Sequence, residues 1–118
     1  PHVEIGDRNR IGFGSIICAG TIITVDTTIG NHVILNLGCT VGHDSFIGDY
    51  VSIMPSTNIS GEVEIEECVY IGTGTKIINQ VKIGRNAILG AGSVVSKSIP
   101  DNCTAVGVPA KPIKFHNA

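Results

Sequence analysis

The chain has 118 residues, the size of one domain, with 42% apolar residues but only 4% aromatics and no Trp. Its formal net charge is −2 and no basic patch or stripe stands out in the sequence, which argues against nucleic acid or an anionic membrane as a partner. No apolar run reaches the length of a transmembrane helix, and no signal peptide is read at the start. The four cysteines, Cys18, Cys39, Cys68 and Cys103, form neither a CxxC pair nor a compact framework. They read as buried or idle thiols in a reducing compartment, with the cytoplasm as the expected location.

Taken from its first residues, the chain shows one pattern. Every sixth residue from Ile5, through Ile11, Ile17 and Ile23 to Leu89 and Val95, is Ile, Leu or Val. The second place of the hexad is often Gly, as at Gly6, Gly30, Gly42, Gly48 and Gly72. The fifth is small or β-branched from Ser15 to Ser93, with Asn9 the exception. A helix would repeat near 3.6 and a lone half-buried strand at 2. A period of six is the signature of a parallel β-helix. The pattern predicts a three-sided prism in which each hexad supplies one short strand and one corner, and 18 residues complete a coil. The first and fifth places point inward, residues 18 apart stack in columns, and the second-place glycines are expected to serve corners that need positive φ. The run from Ile5 to Val95 gives about five coils.

In the middle of this run stands Cys39-Thr-Val-Gly-His43-Asp44. His43 holds a third place and points outward, and a neutral imidazole near pH 7 suits a general base. Cys39 holds an inward fifth place and reads as core. Asp44 follows directly. Neighbouring strand residues face opposite ways, so Asp44 helps His43 only if the corner turns it back or another subunit supplies the partner. Gly61 lies 18 residues on, one coil above His43, where its N–H is open to a ligand. Thr73 and Ala91 form a second stacked pair of small third-place residues. His2, His32 and His116 look incidental. Pro100-Asp101-Asn102 ends the repeat, so residues 1–100 read as the β-helix domain and 101–118 as a tail or cap. Whether the chain is the C-terminal piece of something larger or a short stand-alone protein is left open by the sequence.

Uninterrupted [LIV]-G-x-x-[STAV]-x hexads resemble those of the left-handed β-helix acyltransferases, and the left hand comes from that resemblance. The segment Asn36-Leu-Gly-Cys-Thr-Val-Gly-His43-Asp44-Ser-Phe-Ile-Gly-Asp-Tyr is similar to the active-site segment of the sialic-acid O-acetyltransferase (NeuD-like) family, which includes PglD-like N-acetyltransferases of nucleotide-linked 4-amino sugars. The ending Ile88-Leu-Gly-Ala-Gly-Ser-Val-Val with Val106-Gly-Val-Pro-Ala-Lys111 is common to many hexapeptide acyltransferases. The amino-sugar enzymes usually carry an N-terminal α/β subdomain for the nucleotide-sugar, and these residues contain none.

The resemblance implies an acetyl-CoA-dependent transfer to an amino or hydroxyl group of a sugar, by direct attack in a ternary complex and without a metal. It casts His43 as the base and Asp44 as its helper. Gly61 becomes the donor to the thioester oxygen, and Thr73 and Ala91 line the pantetheine and adenosine ends of the cofactor. Ser52 stands where the family often has a His that contacts cofactor or acceptor. Lys111 is placed at the CoA phosphates and Asn36 at the acceptor. The family forms trimers with sites between prisms. Two other readings stay open: a non-catalytic β-helix scaffold, and a γ-class carbonic anhydrase, whose zinc needs three histidines that His32 and His43 do not supply. An ice-binding face would need a persistent Thr column, and Thr24, Thr27 and Thr28 form none.

Overall fold

A computed structural model describes residues 2–117. Sixteen two-residue strands follow one another at hexad spacing, from β1 (Glu4–Ile5) to β16 (Val94–Val95). They stack in three parallel sheets. The first runs β1, β4 (Ile22–Ile23), β7 (Thr40–Val41), β10 (Asn58–Ile59), β13 (Lys76–Ile77), β16. The second holds β2 (Arg10–Ile11), β5 (Thr28–Ile29), β8 (Phe46–Ile47), β11 (Glu64–Ile65) and β14 (Lys82–Ile83). The third holds β3 (Ile16–Ile17), β6 (Ile34–Leu35), β9 (Ser52–Ile53), β12 (Tyr70–Ile71) and β15 (Ile88–Leu89). Each strand pairs with the strand 18 residues away, as Asn58 does with Thr40 and with Lys76. The architecture is a left-handed parallel β-helix with no α-helix among the described residues, and no helix is long and apolar enough to cross a membrane.

The columns explain why these residues form these strands. The first-place aliphatics from Ile23 to Val95 are buried, and so are the fifth-place residues from Thr21 to Ser93, several of which, ahead of strands of the first and second sheets, are polar. Each fully buried Ile or Leu contributes about 1.5–3 kcal/mol, repeated at every level of the prism. The inward hydroxyls are satisfied locally: Thr57 Oγ1 donates to the Met54 carbonyl at 2.9 Å and Ser45 Oγ to the Ser60 carbonyl at 3.1 Å. A buried hydroxyl without a partner would cost about 1–3 kcal/mol, enough to offset the burial of one aliphatic side chain. Only the first coil departs from the pattern, with Ile5 and Ile11 exposed.

Two expectations are corrected. The helix runs through about six coils, not five. Ile99 bridges Ile83, and β17 (Cys103–Gly107) pairs in parallel with β15, placing Cys103 and Ala105 in the core. Here the spacing drops to 16, as Ile88 pairs with Thr104, so the hexad pattern stops before the coil does. The strand β18 (Ala110–Phe115) then folds back antiparallel on β17.

The second-place glycines do not carry positive φ. That conformation falls on the fourth place of every hexad from Arg8 to Gly92, mostly on non-Gly residues such as Asp26, Asp44, Tyr50 and Glu62. Glycine is needed at the second place for closeness instead. A Cβ on Gly48 would lie 2.8 Å from the Glu67 amide nitrogen of the next coil.

Candidate active site

His43 and Asp44 form the corner between β7 and β8. The corner is tied to its neighbours on both sides: the Asp44 amide donates to the Val25 carbonyl at 3.1 Å, and the Glu62 amide to the His43 carbonyl at 2.8 Å. Asp44 has φ 56°, in the left-handed region. The turn brings its carboxylate back to the residue before it, and Nδ1 of His43 lies 3.0 Å from Oδ2 of Asp44. A carboxylate can only accept, so Nδ1 carries the proton and Nε2 keeps the free lone pair. Both side chains are about half exposed, at 57% each, so a ligand can reach them.

The hydrogen bond to Asp44 raises the pKa of His43 and outweighs the loss of solvation that lowers it, and the nearby charges of Asp44, Glu62 and Asp26 raise it further. Glu62 and Asp26 occupy the corner column of Asp44, 18 residues to either side. Arg8 holds Asp26 in a two-pronged pair, at 2.7 and 3.1 Å, and draws the carboxyl below its usual range. These acidic neighbours were missing from the sequence reading. The same 18-residue step that linked His43 to Gly61 would have found them.

Gly61 sits above His43 as the column predicts. The ring lies against its Cα, and a Cβ there would fall 2.5 Å from Nε2. Among the described residues no acceptor takes the Gly61 N–H. One corner of one chain therefore presents a hydrogen-bonded imidazole, a free ring nitrogen and a free backbone donor.

The other candidates lie elsewhere. Asn36, Thr73 and Ala91 belong to the corner between the third and first sheets, not to the His43 corner. Asn36 is half-buried, with Oδ1 accepting the Leu37 amide at 2.8 Å. Thr73 and Ala91 are exposed, and their amides meet no acceptor among the described residues. Ser52 lies on the outer face of the third sheet between Ile34 and Tyr70. Lys111 is exposed on β18 opposite Val106. One chain thus brings His43, Asp44 and Gly61 together and leaves Asn36, Ser52, Thr73, Ala91 and Lys111 on a separate edge or face.

The remaining reactive groups do not join this corner. His32 stacks on Tyr50 and meets Phe13 edge-on, each at a ring separation of 5.1 Å, on the corner between the second and third sheets. Cys39 is fully buried, its thiol directed to the Met54 carbonyl at 3.3 Å and its pKa raised by burial. Among the described residues no group of three or more His, Cys, Asp or Glu is placed to hold a metal ion. Charge is also segregated along the axis. Six of the eight Lys and Arg residues lie at Lys76 or beyond, where Asp101 is the one acid. The net charge of −2, taken over the whole chain, hides this asymmetry.

Residues 62–97 match the family described as bacterial transferase hexapeptide (six repeats). No curated protein matches the chain in sequence. Among solved structures, WeeI from Acinetobacter baumannii AYE is 40% identical with a TM-score of 0.91, over 94% of this chain and 55% of that one. PerB from Caulobacter crescentus, in complex with CoA and GDP-perosamine, is 36% identical with a TM-score of 0.95, over 97% and 55%. The acetyltransferase domain of PglB from Neisseria gonorrhoeae FA1090 is 35% identical with a TM-score of 0.92, over 96% and 55%. The chain therefore spans about half the length of the structures it matches. Repeat, fold and likeness agree: it is a hexapeptide-repeat β-helix domain similar to these proteins over nearly all of its own length.

Proposed function

We propose that this hexapeptide-repeat transferase domain moves an acetyl group from acetyl-CoA to the amino group of a nucleotide-linked sugar. The observation that carries the reading is the His43 corner, where Nδ1 is held by Asp44 and Nε2 stands free beside the unpaired Gly61 N–H. The ligands of these similar structures support the substrate class: PerB holds CoA and GDP-perosamine, and the PglB domain has been solved with acetyl coenzyme A.

In the proposed mechanism the acceptor nitrogen attacks the thioester carbonyl while Nε2 of His43 takes its proton. The C–S bond then breaks, CoA leaves as the thiol, and the proton on His43 passes to the departing sulfur. Asp44 stabilises the imidazolium formed in between, and the Gly61 N–H donates to the oxygen that gathers negative charge. No enzyme thiol is required, in keeping with the buried Cys39.

The reading further places the site between subunits of a homotrimer. The third sheet supports this with an outer face that is apolar: Ile16, Tyr70 and Ile88 are 57, 43 and 39% exposed there, beside the half-buried Ile34. Asn36, Thr73 and Ala91 of one copy would then face His43 of the next, with Asn36 at the acceptor and the two small residues along the pantetheine arm. Ser52 is assigned to the same cleft. Lys111, in the cation-rich end of the prism, is assigned to the CoA phosphates. The four free cysteines fit a reducing compartment, and we assign the domain to the cytoplasm.

The test is a panel of amino- and hydroxyl-sugar acceptors with acetyl-CoA, followed by release of free thiol. Acceptor-dependent release with a nucleotide-linked amino sugar, lost by about 10²–10⁴ in His43→Ala, is the expected result. Near wild-type turnover in His43→Ala would sink the mechanism. Turnover only with hydroxyl acceptors would reassign the substrate.

A further inference from the structure

Glycines in this fold have two evident causes, and Gly61 has neither. Some stand at left-handed corners, such as Gly14, Gly74 and Gly92 with φ 74, 73 and 71°. Others, such as Gly48 and Gly72, leave no room for a Cβ against the backbone of the next coil. Gly61 has no positive φ, so its backbone would accept alanine. The three atoms nearest its missing Cβ are Nε2, Cδ2 and Cε1 of one residue, His43, at 2.5, 2.8 and 2.9 Å. His32 lies over Gly14 in a similar way, but Gly14 also stands at a left-handed corner, φ 74°, a conformation that itself favours glycine.

We propose that Gly61 is a positioning residue for His43, its absent side chain being the seat of the imidazole ring. The ring packs flat on the next coil, its Nδ1 stays within reach of Asp44, and Nε2 is fixed beside the Gly61 amide. Any Cβ at 61 comes too near all three ring atoms for the pose to survive, so the ring must swing about χ1 and away from Asp44. The lost contact is with the outer part of one side chain, so the prism itself is left intact. The role differs from donation by the Gly61 N–H, which alanine would keep. It deepens the assignment of His43 as base, and rests on that assignment only for its effect on turnover.

The experiment is a cycle of Gly61→Ala, His43→Ala and the double variant, read by thermal melting, by NMR titration of His43, by calorimetry with CoA and by acetyl transfer. In Gly61→Ala the His43 pKa should fall toward that of an ordinary imidazole. Turnover should fall by about 10²-fold or more, as for a displaced base, with CoA affinity unchanged. Gly61→Ala should lower the melting temperature in the wild-type background and leave it unchanged in the His43→Ala background. That double variant also keeps the test readable if Gly61→Ala alone folds poorly. An unaltered His43 titration in Gly61→Ala overturns the proposal. So does an equal melting loss in both backgrounds, which would mean that alanine meets the coil and not the ring. A marked loss of CoA affinity overturns it too, since the methyl group would then obstruct the ligand. If His43→Ala keeps its turnover, the base assignment fails, while titration and melting still decide the seat.

Discussion

Asp44 accepts a hydrogen bond at 3.0 Å from Nδ1 of His43, the residue directly before it in the chain. Two neighbours on a flat strand would face opposite ways. They meet here because Asp44 is itself the left-handed corner, with φ 56°.

The pair fixes a pH dependence. The base works only when neutral, and its pKa is raised from 6.5, first by the hydrogen bond to Asp44. The acid limb of kcat/KM therefore lies above that of a free imidazole. In Asp44→Asn it should move to lower pH, and the plateau should fall, because the imidazolium loses the carboxylate that stabilises it. Stability follows the same sign. A raised folded pKa contributes below the unfolded value near 6.5 and fades as pH rises through the folded value. Melting of the wild type and Asp44→Asn across this range should converge at high pH.

The cysteines should separate by burial. Cys68 is exposed, whereas Cys39 and Cys103 are buried with raised pKa values. A thiol reagent should label Cys68 in the native protein, and Cys39 and Cys103 only after denaturation. Cys39→Ala should melt about 1 kcal/mol less stably yet keep its turnover well below the melt. Loss of turnover in a folded Cys39→Ala would point to a covalent route.

The corners make a separate prediction. Ser56 has φ 61°. Ser56→Val should cost about 1–2 kcal/mol in denaturant unfolding, because a β-branched residue is strained there. Ser56→Gly should be neutral or stabilising. Equal stability of the two variants would contradict the corner geometry.

The outer face of the third sheet bears on assembly. Ile88→Glu should convert a trimer to monomers in sedimentation and reduce turnover along with it, since the proposed site needs two copies. A fully active monomer would remove the intersubunit site.

The inward columns could be read directly from the sequence, because Ile23, Leu35, Val41 and their equivalents are chosen for burial and repeat without a break. The corners could not. The fourth place holds Arg8, Asp26, His32, Tyr50, Glu62 and Cys68, which share a backbone conformation and no side-chain chemistry. Their side chains face solvent, so nothing constrains them to a recognisable type. For the same reason the second-place glycines were credited with the turn that their neighbours make. The sixth coil was hidden because its spacing shortens by two residues. At the site, Gly61 above its column partner His43 was legible from the 18-residue step alone. The return of Asp44 was legible only as a condition, because it depends on a single backbone angle.

The step of 18 residues between stacked strands, kept from β1 to β16, also governs how the chain can fold. Each new coil closes a loop of the same length onto the coil before it, so the entropic cost is the same at every level. No pairing within the prism has to wait for distant parts of the chain to meet. Folding can start at any pair of adjacent coils and spread in both directions, as in other solenoids. The coil pair that carries Asp44 and Gly61 is a middle segment of this stack, so it gains support from both sides as the structure grows.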